Sequence, residues 1–227
     1  MRMATIKRFK NYSKSIKGKS RFNRHPIIFD GWNAQLVSLV SHLIFDGEIK
    51  YGGCVYTKRN TVLLKRVAIC MKVVYPFPPK KYESFPGVHK IAYHNVELSS
   101  YLKAKAQKLL RDIGNTSTQL QQIFLRSFFD DEGSVYFIHK RRAVRGYQHN
   151  IKILVIVKTL LKNFGIESRI DAKYNEIIIS RRNDLIKFAE EINFTRGVRI
   201  NGNRSNSIWK QSLEKRVILQ RALSSYQ

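Results

Sequence analysis

A chain of 227 residues can hold one large domain or two small ones, and 43% hydrophobic residues suffice for a packed core, which excludes a disordered basic tail. Its 42 Lys and Arg against 16 Asp and Glu leave a formal net charge of +26, far beyond what solubility requires and opposed to compaction by self-repulsion. The expected counterweight is a polyanion. Nucleic acid stands ahead of an acidic membrane surface, because no apolar run approaches the roughly 20 residues of a spanning helix. Cys54 and Cys70 lie in apolar segments without metal-binding spacing and read as reduced core thiols, so a reducing compartment, cytoplasm or organelle, is expected.

Residues 1–28 read as a basic arm; the first 25 hold nine Lys and Arg and no acid, a composition shared by transit peptides and by arms that order on a phosphate backbone. Asn33 is placed to cap a helix from Ala34 to Phe45 that is apolar on nearly every side and therefore buried. A tight hairpin around Gly52-Gly53 follows, then a helix over 60–75 stopped by Pro76 and Pro78-Pro79. Strands over 80–84 and 88–94 flank Pro86-Gly87, and a helix spans 96–111. The segment 112–118 is the expected link between two halves, 29–113 and 114–195.

The second half repeats this order. Thr118 and Gln121 have capping-box spacing at its first helix, a basic hairpin covers 133–152, and a helix closes at Gly165. Strand 166–173 alternates Ile166, Ser168, Ile170 and Ala172 against Glu167, Arg169, Asp171 and Lys173; strand 176–181 follows, and Asn183 is placed to cap a helix to Ile192. Residues 196–227 form a basic loop and a final amphipathic helix carrying Ile208, Trp209, Leu213, Val217 and Leu223. Each half reads as helix–strand–strand–helix–strand–strand–helix.

The duplication is sharpest at the first helix of each half. LVSHLIFDGEI (39–49) and LRSFFDDEGSV (125–135) align with Gln35/Gln121, Leu39/Leu125, Ser41/Ser127 and Gly47/Gly133 identical and Asp46/Glu132 alike. An acid-glycine pair ending one helix is usually only a helix stop, since glycine so often follows a helix. Its recurrence at one offset within matched apolar helices points to function. The small Ser41 and Ser127 allow the helices to approach, which would bring Asp46 and Glu132 together. Two neighbouring carboxylates are unfavourable unless a positive charge sits between them, and a hard cation such as Mg²⁺ or Mn²⁺ takes oxygen ligands. Metals held this way over phosphates activate water and stabilise the leaving oxygen. Asp130 and Asp131 read as solvated groups at the helix end, and His42 as a core or interface residue.

These motifs resemble those of the LAGLIDADG homing endonucleases: LRSFFDDEGSV is very close to the signature and LVSHLIFDGEI is a looser copy, with the element order covering about 30–195. The resemblance implies an α+β fold of two pseudosymmetric αββαββα halves, joined through paired motif helices, whose antiparallel sheets form a saddle over DNA. It maps the catalytic, metal-binding acids to Asp46 and Glu132. It implies a monomeric, Mg²⁺- or Mn²⁺-dependent enzyme that hydrolyses both strands of a specific duplex. Ile44 replaces the usual first acid of the motif, while Asp130 keeps it; Phe45 and Asp131 stand where a small residue is usual. Arg199 is a candidate for the family's basic residue near the scissile phosphate.

Duplex contact is expected from Lys50, Lys58 and Arg59 in the first half. In the second it is expected from Lys140, Arg141, Arg142, Arg145, Gln148, Arg169, Lys173 and Arg181, mostly to phosphate, with Tyr147 and Gln148 able to reach bases. The leading expectation is an intron-encoded endonuclease. An intein origin is disfavoured, because the chain starts at Met1 and lacks a terminal His-Asn. The alternative is a binding protein on the same fold, either a maturase acting on its own intron RNA or a cleavage-inactive DNA-binding regulator.

Overall fold

The computed structural model describes residues 24–139, 141–200, 202 and 211–226; Lys140, Ile208, Trp209 and most of the basic arm lie outside this set. The first half runs α1 (Ala34–Phe45), β1 (Gly47–Lys50), β2 (Gly53–Lys58), α2 (Thr61–Val74), β3 (Lys80–Phe85), β4 (Val88–Tyr93) and α3 (Val96–Asp112). After a 3₁₀ turn at Ile113–Asn115, the second runs α4 (Thr118–Glu132), β5 (Gly133–Ile138), β6 (Arg141–Tyr147), α5 (Ile151–Asn163), β7 (Arg169–Asp171), β8 (Glu176–Ile179) and α6 (Arg182–Lys187). A wider π-type turn extends α6 through Phe188–Ile192, and α7 (Lys215–Ser224) closes the chain.

The two sheets have the same order, β1-β2-β4-β3 and β5-β6-β8-β7, and every pairing is antiparallel. Helices α2 and α3 cover one face of the first sheet, and α5 packs against β7 and β8 of the second. Between them α1 and α4 lie side by side at the centre of the molecule. Helix α1 buries residues around its whole circumference, from Leu36 to Phe45, because α2, α3 and α4 all pack against it. That explains its uniformly apolar sequence. Asn33 caps it by accepting a bond from the Leu36 amide at 2.8 Å.

Several local details differ from the expectations. Ser117, not Thr118, precedes α4, and the Gln121 side chain turns back to donate to the carbonyls of Gly114 and Thr116 instead of closing a capping box. Arg181, not Asn183, is the N-cap of α6, and β7 keeps only Arg169–Asp171 of the longer alternating strand. Helix α7 buries Lys215, Ile218, Leu219 and Ala222, so Val217 faces outward and Leu213 precedes the helix.

The motif glycines are also explained differently. Neither Gly47 nor Gly133 has a positive φ. A Cβ at Gly47 would lie 2.6 Å from the Leu43 Cα, and one at Gly133 would lie 2.3 Å from the Phe129 carbonyl oxygen. Each strand leaves its helix so close to the last turn that only hydrogen fits. The requirement is space, not a left-handed cap.

Candidate functional site at the paired helix ends

Position by position, the α1–α4 interface shows what the repeat built. Phe45 reaches across to α4 and meets Phe124 and Phe128 edge-on at 5.1 and 5.2 Å. The same position of α4 is Asp131, which reaches across to α1, where His42 stands at the position matching Phe128. His42 Nδ1 and Asp131 Oδ2 are 2.8 Å apart, with both side chains fully buried. Phe45, standing where a small residue is usual, fills the helix pair with aromatic contacts worth about 0.5–1.5 kcal/mol each beyond burial. Asp131 is no solvated cap. Nor is Asp130, whose Oδ1 accepts the Thr195 amide at 2.8 Å in a 2% exposed side chain.

Asp46 follows α1 as its C-cap and Glu132 ends α4, so both carboxylates emerge where the paired helices give way to the sheets. They feel each other. Burial and then the neighbouring Asp46 charge push the Glu132 carboxyl up to about 7. Asp46, 38% exposed at its side chain, is raised by partial burial and by Asp131 against the pull of Lys58. The Lys58 ammonium forms an ion pair with Asp46 and lies 3.4 Å from Asp131 Oδ1. Burial alone would lower the Lys58 pKa, but Asp131 and Asp46 outweigh it and raise it. Asp131 is itself held below the ordinary range, despite burial, by His42, Lys58 and a 2.5 Å bond from the Tyr56 hydroxyl.

The second cation is Lys215, from α7. Buried, it donates to the carbonyls of Phe129 and Asp130 at 3.1 and 2.8 Å, and burial lowers its pKa to about 8. It neutralises the carbonyl end of α4, where a helix accumulates negative charge. Arg199, expected near this end, instead donates to the Ser212 carbonyl at 2.9 Å. Sequence reasoning missed Lys215 because it lies outside the repeat, and only the return of the C-terminal segment onto α4 delivers it. Among the described residues no three His, Cys, Asp or Glu side chains are placed to hold a metal ion. Asp46 and Glu132 nonetheless fit a hard divalent cation. Both are oxygen donors, their charges repel, and Glu132 has no hydrogen-bonding partner among the described residues.

The expected nucleic-acid residues separate by sheet face. In the first sheet Cys54, Tyr56, Ile91 and Tyr93 point to the helices, which leaves Lys50, Thr57, Lys80, Tyr82 and Lys90 on the open face. Lys80, Tyr82 and Lys90 join the expected set; in the sequence they are scattered basic and aromatic residues of the two strands flanking Pro86-Gly87, and only the register puts them on one face. Lys58 points inward to the carboxylates, and Arg59 lies exposed beyond β2, donating to the Pro86 carbonyl. In the second sheet Arg141, Arg145 and Arg169 share the open face with Tyr136 and Tyr147. Arg145 stacks 4.3 Å over Tyr136 and lies 3.4 Å from Glu176, and Arg169 lies 3.7 Å from Asp171.

Arg142 points the other way, into Ser225 and 4.6 Å over the Tyr226 ring, so it anchors the C-terminus and does not line the open face. Gln148 accepts from the Asn150 amide in the turn before α5. Lys173 lies exposed 5.3 Å over Tyr174 in the β7–β8 turn, and Arg181 is exposed at the start of α6.

Comparison with known proteins fits this architecture. The family model of the LAGLIDADG-like domain matches residues 119–193. No curated protein matches the sequence. The homing endonuclease I-DmoI, in its crystal structure with DNA and Mn, is similar at a TM-score of 0.54 and 19% identity over 70% of this chain and 97% of that one. Full-length DUF199/WhiA from Thermatoga maritima is similar at 0.56 and 16% identity over 88% of this chain and 63% of that one. The N-terminal LAGLIDADG domain of DUF199/WhiA is similar at 0.52 and 17%, over 74% and 88%. Residues 119–193 match the LAGLIDADG-like domain, and over about 70% of its length the chain has the fold of the homing endonuclease I-DmoI, with both motif helices in a single polypeptide.

Proposed function

We propose that this protein is a monomeric, site-specific DNA endonuclease of the homing type, hydrolysing both strands of a duplex that lies along the open faces of its two sheets. The observation that carries the reading is the pair Asp46 and Glu132. Two matched helix ends bring acids into mutual repulsion in a chain of net charge +26, an arrangement with no structural benefit of its own. Asp46 and Glu132 would hold Mg²⁺ or Mn²⁺, which when bound supplies an activated water and charge compensation at the leaving oxygen. Lys58 sets a positive charge beside Asp46 where a phosphate oxygen would approach. Lys50, Lys80 and Lys90 on one sheet, and Arg141, Arg145 and Arg169 on the other, supply backbone contacts, with Tyr82 and Tyr147 offering surface to sugars and bases.

Two observations favour a second reading, a cleavage-silent DNA-binding protein. Lys58 already pairs with Asp46, and Ile44 stands where the other motif copy has Asp130. Incubation of a randomised duplex library with Mg²⁺, with Asp46→Asn and Glu132→Gln run in parallel, separates the two. Cut sites recovered from the wild type and from neither variant support the endonuclease. Selective, salt-sensitive retention of a duplex without cutting supports the binding protein, and preference for structured RNA supports a maturase role on intron RNA.

A further inference from the structure

The pseudo-twofold axis that relates the halves is broken at one cluster. Asp131 Oδ2 faces His42 Nδ1 at 2.8 Å, Asp131 Oδ1 accepts from the Tyr56 hydroxyl at 2.5 Å, and Lys58 lies 3.4 Å from that oxygen and donates to the Asp131 carbonyl at 3.3 Å. The Asp131 and His42 side chains are fully buried. The symmetry counterparts of these residues share none of this chemistry. Motif alignment makes Phe45 the counterpart of Asp131 and Phe128 that of His42. Strand register makes Gly146, opposite Gly133, the counterpart of Tyr56, opposite Gly47. Two residues further on, Lys58 corresponds to Gln148, whose side chain is held in the turn before α5. One half therefore has an aromatic stack where the other has a hydrogen-bonded carboxylate leading to a lysine.

A buried carboxylate is costly unless it is fully bonded, and this one takes its bonds from the opposite half of the chain. Its most exposed partner is Lys58, 16% accessible, whose ammonium also reaches Asp46. The two anchors on Asp131 do not depend on Asp46, so Lys58 stays in place if Asp46 turns to another ligand. Lys215, the other cation near these carboxylates, has its ammonium on two helix carbonyls and does not duplicate this role.

We propose that Asp131, backed by His42 and Tyr56, is a positioning residue that fixes the Lys58 ammonium beside Asp46, so that one of the two half-sites carries a preset cation and the other does not. Resting on the endonuclease reading, this adds a consequence: the two strands are cut at unequal rates, and the inequality belongs to the protein as well as to the target sequence. Losing the Asp131 carboxylate leaves Lys58 only its Asp46 ion pair and the backbone carbonyl of residue 131, which loosens it and slows the strand served by Asp46, while the other strand is affected less.

The test has two arms. In the first, the full-length protein without DNA is treated with limiting acetic anhydride, and acetylation of Lys58 is followed by peptide mass spectrometry with exposed Lys80 as reference. Lys58 is expected to react slowly in the wild type and several-fold faster in Asp131→Asn. The near-isosteric Tyr56→Phe is expected to show a smaller increase and serves if Asp131→Asn does not fold. Wild-type Lys58 reactivity in folded variants overturns the proposal. In the second arm, a supercoiled plasmid bearing a recovered target site is cut by each protein. Nicked circles are expected to accumulate with the variants, all on one strand, with the slower strand losing roughly tenfold or more. Equal slowing of both strands overturns it. A wild type that cuts nothing sinks the endonuclease reading, and the acetylation arm still decides whether Asp131 holds Lys58.

Discussion

Two acids next to each other in the chain, Asp131 and Glu132, are driven in opposite directions by what surrounds them. Asp131 is the more deeply buried, yet His42, Lys58 and Tyr56 keep it ionised; Glu132, partly buried beside Asp46 and with no bonded partner among the described residues, resists ionisation. The consequence for stability follows from linkage. The ordinary Glu132 value is 4.5 and the folded value about 7, so the folded state keeps a proton that the unfolded chain releases between them. That contribution is complete below about 4.5 and is lost as the pH rises through about 7. In chelator-containing buffer, Glu132→Gln is expected to gain stability relative to the wild type as the pH is raised from 5 to 7.5, measured as the difference in Tm. Adding Mg²⁺ at pH 7.5 is expected to raise the wild-type Tm and not that of the variant, because only an ion that binds the folded protein stabilises it. A parallel pH response of both proteins would mean that Glu132 does not carry this charge.

At the scale of elements, the central helix pair shows how a duplicated unit diverges without losing its packing. Phe128 can occupy the interface only because Gly146 passes beneath it; a Cβ there would stand 2.4 Å from its ring. Gly146→Ala is expected to cost about 1–3 kcal/mol in chemical denaturation, the usual penalty for overpacking, and Phe128→Leu in the same chain is expected to recover part of it. Much at this level was legible in the sequence. The glycines at 52 and 87, the prolines at 76, 78 and 79 and the two motif copies delimited nearly every element, because turn chemistry and apolar periodicity act locally. The exceptions share a cause. Asn163 of α5 donates to the Gln121 side-chain oxygen and turns the Gln121 amide nitrogen to the carbonyls of Gly114 and Thr116, and α7 presents the face that packing selects, with Val217 outward.

For the whole molecule, the net charge of +26 sets the sign of the expected partner, while the fold decides which cations share a face. Arg142 and Arg145 are three residues apart in one basic hairpin and indistinguishable by composition, yet the pleat sends them to opposite faces. Arg145→Ala is expected to reduce the slope of log Kd for duplex DNA against log salt by about 1, as the loss of one phosphate contact should. Arg142→Ala is expected to leave that slope unchanged and lower Tm, since its guanidinium ties β6 to Ser225 and Tyr226. Equal salt slopes for the two variants would mean that the faces are misassigned. None of the described helices is long and apolar enough to cross a membrane.

The sequence by itself determined the duplication, the α+β order of each half and the pairing of Asp46 with Glu132, because repeats, turns and helix periodicity are properties of neighbouring residues. Only the tertiary structure decided what stands around those acids. Asp131 looked like a solvated group and proved to be the buried link to His42, Tyr56 and Lys58; Lys58, expected as a DNA contact, is paired with Asp46 beside it; Lys215 arrived from outside the repeat. Burial and charge pairing depend on residues far apart in the chain, and those meet only when the two halves close on one helix pair.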